Sequence, residues 1–140
     1  MGFSENAIRK GMSAEYLAKA HFSKKGFGII SSDTHEKPYD FIIDAPLGFL
    51  KVQVKAAILV KQGNFDLIRF RNKHGSENKF YKREDYDILA GVWVEKNKIA
   101  LYTSDDVNSG EYGETISLCK TDGSPLGKRH RPTPYYFGDI

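Results

Sequence analysis

Residues 40–55, reading DFIIDAPLGFLKVQVK, constrain the fold of this chain more than any other stretch. Phe41, Ile42 and Ile43 form a continuous apolar run, the pattern of a strand covered on both faces. Pro46-Leu47-Gly48 supplies the residues of a tight reversal. From Phe49 to Ala57 the chain alternates, with Val52, Val54 and Ala56 on one face and Lys51, Gln53 and Lys55 on the other. Two such runs across a short turn predict a hairpin. Pro38 biases the chain to stay extended before Asp40. Asp40 therefore opens the first arm near the point where Gln53 and Lys55 close the second, and their side chains can approach across the ladder.

A helix is expected upstream, over residues 5 to 25. Ile8, Met12, Glu15, Ala18 and Phe22 recur at three- and four-residue steps and so share one side; Ala14 widens that stripe and Leu17 extends it. Gly26 supplies the stop. Gly11 is a weak point, where the first turns could be irregular or form a separate short helix. Glu15 is the odd member, because a carboxylate among apolar neighbours loses hydration unless a cation compensates. On an isolated helix it would reach water or pair with Lys19, four residues on. If the helix packs over the hairpin's sheet, Glu15 instead falls near Asp40, Gln53 and Lys55. Oxygen ligation of a Mg²⁺ ion would then offset the desolvation of both carboxylates.

Further strands are expected at Phe27–Ser31, at Asn64–Asn72 as a third strand of the same sheet, and at Thr115–Leu118. Ile88–Val94 and Ile99–Thr103 read as a second hairpin about Lys96-Asn97-Lys98, with Trp93 as a core anchor. Polar connections are expected at Ser32–Lys37 and His74–Asn78, and Ser104 could cap one helical turn with Asp105 and Asp106. The expected fold is mixed α/β, an N-terminal helix packed on a central mixed sheet, in a single domain over residues 1–140. Within it, residues 119–140 form a basic and aromatic C-terminal segment. Arg69, Arg71 and Lys73 at period two could track a phosphate backbone or simply face solvent. Lys128, Arg129 and Arg131, followed by Tyr135, Tyr136 and Phe137, suit contact with nucleic acid or packing onto the body. A net charge of +3 permits nucleic-acid binding without demanding it. No apolar run approaches the ~20 residues that span a bilayer, and the N-terminus lacks a signal-peptide pattern. Cys119, the single cysteine, can form neither an internal disulfide nor a zinc cluster. A cytosolic protein without membrane partners is expected.

An acid on the helix, an acid opening one strand and a (D/E)-x-K triplet on the next is the pattern of the PD-(D/E)XK nucleases, which this sequence resembles. The resemblance places Glu15 at the helical acid, Asp40 at the first motif acid and Gln53-Val54-Lys55 at the triplet, with Gln53 where a carboxylate is usual. The chain is similar in particular to the small intron-encoded homing endonucleases of cyanobacteria, which also carry glutamine there. Residues 15 to 57 carry the likeness, and YKREDYDILAGVWVEKNKIALYT continues it.

A restriction-endonuclease-like core is implied, with Mg²⁺ held by Glu15, Asp40 and Gln53. Lys55 would orient the attacking water or offset charge on the phosphate. The implied activity is sequence-specific hydrolysis of double-stranded DNA. Asp44, nearer the turn, ranks below these four. Arg69, Arg71, Lys73, Lys128, Arg129 and Arg131 are the candidate DNA contacts. One site per chain implies a symmetric homo-oligomer, dimer or tetramer, for cutting both strands. Two alternatives remain open: a Holliday-junction resolvase, and a catalytically inactive DNA-binding protein on the same fold, for which Gln53 argues.

Overall fold

The computed structural model of the protein describes residues 5–31, 36–62, 65–74, 79–109, 115–120 and 132–140. One long helix, α1 (Glu5–Lys24), is followed by β1 (Gly28–Ser31), β2 (Phe41–Ala45) and β3 (Gly48–Ala56). Then come β4 (Ile58–Gln62), β5 (Phe65–Arg71) and the two-residue strands β6 (Lys73–His74) and β7 (Lys79–Phe80). The chain continues through β8 (Ile88–Trp93), β9 (Lys98–Thr103), the single turn α2 (Ser104–Val107), β10 (Thr115–Lys120) and β11 (Tyr136–Asp139).

The expected hairpin is present, with Phe41 opposite Val52 and Ala45 opposite Gly48. Gly48 has φ +129°, a conformation that side-chain-bearing residues rarely adopt, so the turn depends on it. β3 is the pivot of a six-stranded mixed sheet ordered β1-β2-β3-β8-β9-β11. It pairs antiparallel with β2 and parallel with β8, Val52 lying opposite Ile88 and Ala56 opposite Val92. Ala57 still donates its N–H to Val92 O at 2.7 Å, and the chain then leaves this sheet for a second one, ordered β10-β5-β4.

Alternation along β3 sorts its side chains between two cores. Val52 and Val54 join Ala14, Ala18 and Phe22 of α1 on one face. On the other face Leu89, Trp93 and Tyr102 meet Ile68, Phe70 and Leu118 of the second sheet. The result is a helix, a large sheet and a small sheet in three layers. Trp93 is a core residue, as the sequence suggested.

Several expectations are corrected. The buried stripe of α1 is Ala14, Ala18, His21 and Phe22, whereas Ile8 and Met12 are 55% and 52% exposed. Two alanines let the helix lie close to the sheet, and this rotates the larger residues of its first turns outward. The helix is continuous through Gly11. β5 is not a third strand of the main sheet but the centre of the small one, between β10 and β4, the latter a strand the sequence reading did not assign. Thr103, rather than Ser104, caps α2: its Oγ1 accepts from Asp106 N–H at 3.3 Å. Ser104 is buried and donates instead to Arg83 O at 2.9 Å. At the C-terminus, β11 pairs antiparallel with β9, and Tyr136 packs its ring 5.1 Å from that of His21. This part of the tail is packed onto the body; Lys128, Arg129 and Arg131 lie outside the described residues.

The small sheet rests on Gly91 of β8. A Cβ at that position would stand 2.4 Å from Phe70 Cε1 and 3.2 Å from Leu118 Cδ2, so the layers touch where a side chain is missing. Phe70 and Leu118 are themselves only 3% exposed and cannot swing away. Gly91→Ala should therefore destabilise the protein by about 1–3 kcal/mol through overpacking. Urea unfolding checks this, and an unchanged midpoint would show that the layers can separate freely.

Candidate active site

The site lies where β2 begins. Asp40 N–H donates to Val52 O at 2.8 Å, the last backbone bond between these arms. Beyond it, no backbone hydrogen bond joins the two arms among the described residues. The backbone groups of Val54 on this side of β3 are consequently satisfied by side chains. Val54 N–H donates to Asp40 Oδ2 at 2.7 Å, and Val54 O accepts from Gln53 Nε2 at 3.2 Å. Two predicted site residues thus end on one residue of β3. Gln53 is only 8% exposed, and with its NH₂ engaged, its Oε1 is the end left to accept.

The gap between β2 and β3 also brings together groups from both faces of the sheet. Burial pushes the Asp40 carboxyl up to about 6; the Val54 hydrogen bond opposes this, the Glu15 carboxylate adds to it, and Lys55 and Lys19 reduce it. Glu15 therefore lies within electrostatic reach of Asp40 from the helix side. It also takes the partner expected on an isolated helix, Lys19 Nζ at 3.5 Å. Lys55 projects from the opposite face. Its Nζ donates to Lys73 O at 2.8 Å and stands 5.1 Å from the centre of the Tyr81 ring. Burial lowers the Lys55 ammonium, Asp40 raises it, and Arg71 lowers it further.

All four predicted residues are accordingly in one neighbourhood: Asp40 and Gln53 on Val54, Glu15 and Lys55 on either side. Asp44 is exposed near the turn, opposite Phe49, and is not part of it. Of the basic stripe, Arg71 is exposed and reaches Lys55 electrostatically. Arg69 is half-buried on β5, and Lys73 has moved to β6, its ammonium 4.9 Å from the Phe80 ring centre. Two residues near Asp40 were missed. Lys19 was read only as a partner for Glu15. Tyr81, 7% exposed, feels the Asp40 charge, which together with burial raises its hydroxyl. Nothing in its spacing signals that position.

The donor set suits a divalent cation. The Glu15 carboxylate disfavours ionisation of the buried Asp40, and a positive ion placed between them, with an amide oxygen beside, would offset this. Among the described residues no three His, Cys, Asp or Glu gather, which reflects glutamine at position 53: the site has two acids and a neutral oxygen.

Comparisons with known proteins point to a family and a fold. A family model described as PD-(D/E)XK endonuclease matches residues 6–130. Among solved structures, a bacterial homing endonuclease, I-Ssp6803I, has a TM-score of 0.74 at 24% identity, over 87% of this chain and 84% of that one. At that identity the likeness carries the fold. No curated protein matches. No helix among the described residues is long and apolar enough to cross a membrane.

The raised Asp40 carboxyl has a thermodynamic consequence. Its pKa is about 6 in the fold against an ordinary 3.8, so the folded state binds the proton more tightly. Metal-free stability should then fall as pH rises from about 4 to about 6 and remain lower above that, by roughly 3 kcal/mol at most. Asp40→Asn keeps an oxygen for Val54 N–H and removes the charge, so it should stabilise the chelated protein at pH 7.5 and flatten this slope. Urea unfolding at pH 4, 5 and 7.5 reads both; an Asp40→Asn protein less stable than wild type at pH 7.5 would show that the buried charge carries no cost.

Proposed function

Because the chain belongs to the PD-(D/E)XK endonuclease family, we propose that it is a Mg²⁺-dependent, sequence-specific endonuclease of double-stranded DNA, a homing enzyme, with residues 1–140 acting as one nuclease domain. The observation that carries this reading is the Asp40 carboxyl, desolvated on Val54 between the Glu15 carboxylate and the Lys55 ammonium. The likeness to a bacterial homing endonuclease supports the biological class.

In this reading Glu15 and Asp40 bind the metal through carboxylate oxygens and Gln53 contributes its Oε1. A Mg²⁺ ion held by these residues would supply Lewis-acid polarisation of the phosphate. Lys55, tethered at Lys73 O, orients the attacking water and offsets negative charge on the phosphate as the in-line displacement proceeds. Arg71, exposed and within electrostatic reach of Lys55, would meet a DNA phosphate, with Arg69 and Lys73 as further candidates along the chain. Lys128, Arg129 and Arg131 are retained as further contacts to DNA. One site per chain requires a homo-oligomer, dimer or tetramer, to cut both strands.

Incubation with a randomised duplex library and Mg²⁺, followed by sequencing of the cut ends, tests this. Discrete ends are expected, and Glu15→Gln, Asp40→Asn or Lys55→Met should lower their yield by about 100-fold or more. No cutting at any Mg²⁺ concentration would sink the reading and leave a DNA-binding protein on a nuclease fold. Cleavage of four-way junctions regardless of sequence would make it a resolvase instead.

Gln53 makes a separate prediction. Gln53→Glu restores a third carboxylate and should tighten Mg²⁺ binding by about tenfold, as read by isothermal titration calorimetry. An unchanged affinity would place residue 53 outside the metal's coordination.

A further inference from the structure

A lysine that acts on a phosphate has to be held, because its flexible stem and compact ammonium impose little geometry of their own. Two groups meet the Lys55 ammonium from the side of the small sheet: Lys73 O at 2.8 Å and the face of the Tyr81 ring at 5.1 Å. Both are set by the same buried structure. Tyr81 packs edge-to-face on Tyr86, with ring centres 5.1 Å apart and planes at 75°. Tyr86, with no exposed surface, donates its hydroxyl to Asn72 Oδ1 at 3.0 Å. Asn72, 4% exposed, donates from Nδ2 to Asn108 Oδ1 at 3.0 Å. Asn108 in turn donates to Ser104 Oγ at 2.9 Å, which anchors the chain of bonds on α2. Asn72 is the residue before Lys73, so fixing its amide fixes the carbonyl that Lys55 uses.

We infer that Tyr81 is a positioning residue for Lys55, its ring face and the Lys73 carbonyl together aiming the ammonium at Asp40, with the Tyr86–Asn72 hydrogen bond holding both in place. The contribution of Tyr81 is its π face rather than its hydroxyl, because an ammonium over an aromatic ring in a desolvated setting is held electrostatically by the ring. The inference rests on the nuclease reading of Lys55, and it requires only residues of this chain.

The test compares Tyr81→Phe, Tyr81→Leu and Tyr86→Phe with wild type by two measurements. One needs no DNA: the ring-current shift of the Lys55 ε-methylene protons in NMR, assigned with Lys55→Met. The upfield shift is expected to persist in Tyr81→Phe, to vanish in Tyr81→Leu and to be reduced in Tyr86→Phe. The second is single-turnover cleavage at saturating duplex DNA and Mg²⁺. Tyr81→Phe should stay within about threefold of wild type, and Tyr81→Leu should fall by about tenfold or more, with its DNA dissociation constant changed by less than about twofold. In a Lys55→Met background, Tyr81→Leu should add nothing to the residual defect.

Tyr86→Phe keeps the packing and removes one hydroxyl, so it remains informative if Tyr81→Leu fails to fold. Wild-type shift and rate in Tyr81→Leu, or in Tyr86→Phe where Tyr81→Leu does not fold, would overturn the inference. So would a loss in Tyr81→Phe as deep as in Tyr81→Leu, which would assign the role to the hydroxyl. A wild-type protein that cuts no duplex would overturn the nuclease reading, while the ring-current comparison would still decide whether Tyr81 holds Lys55.

Discussion

Val54 presents an N–H and a C=O on the side of β3 that β2 abandons, and the site is built from what fills them. The strands part after Asp40 N–H reaches Val52 O, and no later backbone bond joins them among the described residues. A buried N–H and C=O without partners are costly. Here they are satisfied by the Asp40 carboxylate and the Gln53 amide. The end of the ladder thus gives two candidate site side chains a fixed position. Much of the remaining architecture keeps β3 from shifting: β8 pairs along its other side, and the alanines of α1 press on its Val52–Val54 face.

Opening the ladder has a second effect, which is electrostatic. A continuous sheet would separate Glu15, on the helix side, from Lys55, on the small-sheet side. At the gap both act on Asp40, one raising and one lowering its carboxyl. Gln53 is better understood in this setting. It is buried on the strand next to Leu89, a core residue. A third carboxylate there would add desolvation and repulsion to a site whose Asp40 is already raised to about 6. Glutamine keeps an oxygen able to accept while sparing the protein that charge.

What the sequence revealed follows from the range of the interactions involved. The hairpin, the helix with its stop at Gly26 and the β8–β9 pair rest on local periodicity and turn chemistry, and each was legible. Glu15, Asp40, Gln53 and Lys55 were legible as a motif because their spacing is tied to those elements. The rotation of α1 was not, because Ile8 and Met12 fit an apolar stripe equally well until the sheet selects Ala14 and Ala18 as the contact. β4 was hidden by its continuity with β3: only Ala57 separates them, and Ile58 and Leu59 are both exposed, so no alternation marks the change of sheet. Tyr81 reaches Lys55 through the packing of the small layers, a relation that no sequence interval encodes.

The site therefore depends on two cores at once. Glu15 and Lys19 are placed by the core under α1, whereas Lys55, Arg71 and Tyr81 are placed by the core under the small sheet. Only Asp40 and Gln53 belong to the boundary itself. The second core has a hard stop at Gly91, where Phe70 sits too close for any side chain. Phe70 and Arg71 are neighbours on β5, and Asn72 and Lys73 follow directly. The contact that sets the distance between the layers is thus three residues from the carbonyl that holds Lys55. Close packing transmits displacement rather than absorbing it. A substitution in this apolar contact, where Gly91 lies opposite Lys55 and Phe70 lies between Arg69 and Arg71, would move the Lys55 ammonium relative to Asp40, so in this fold packing between layers and the geometry of the candidate site are adjusted by the same residues.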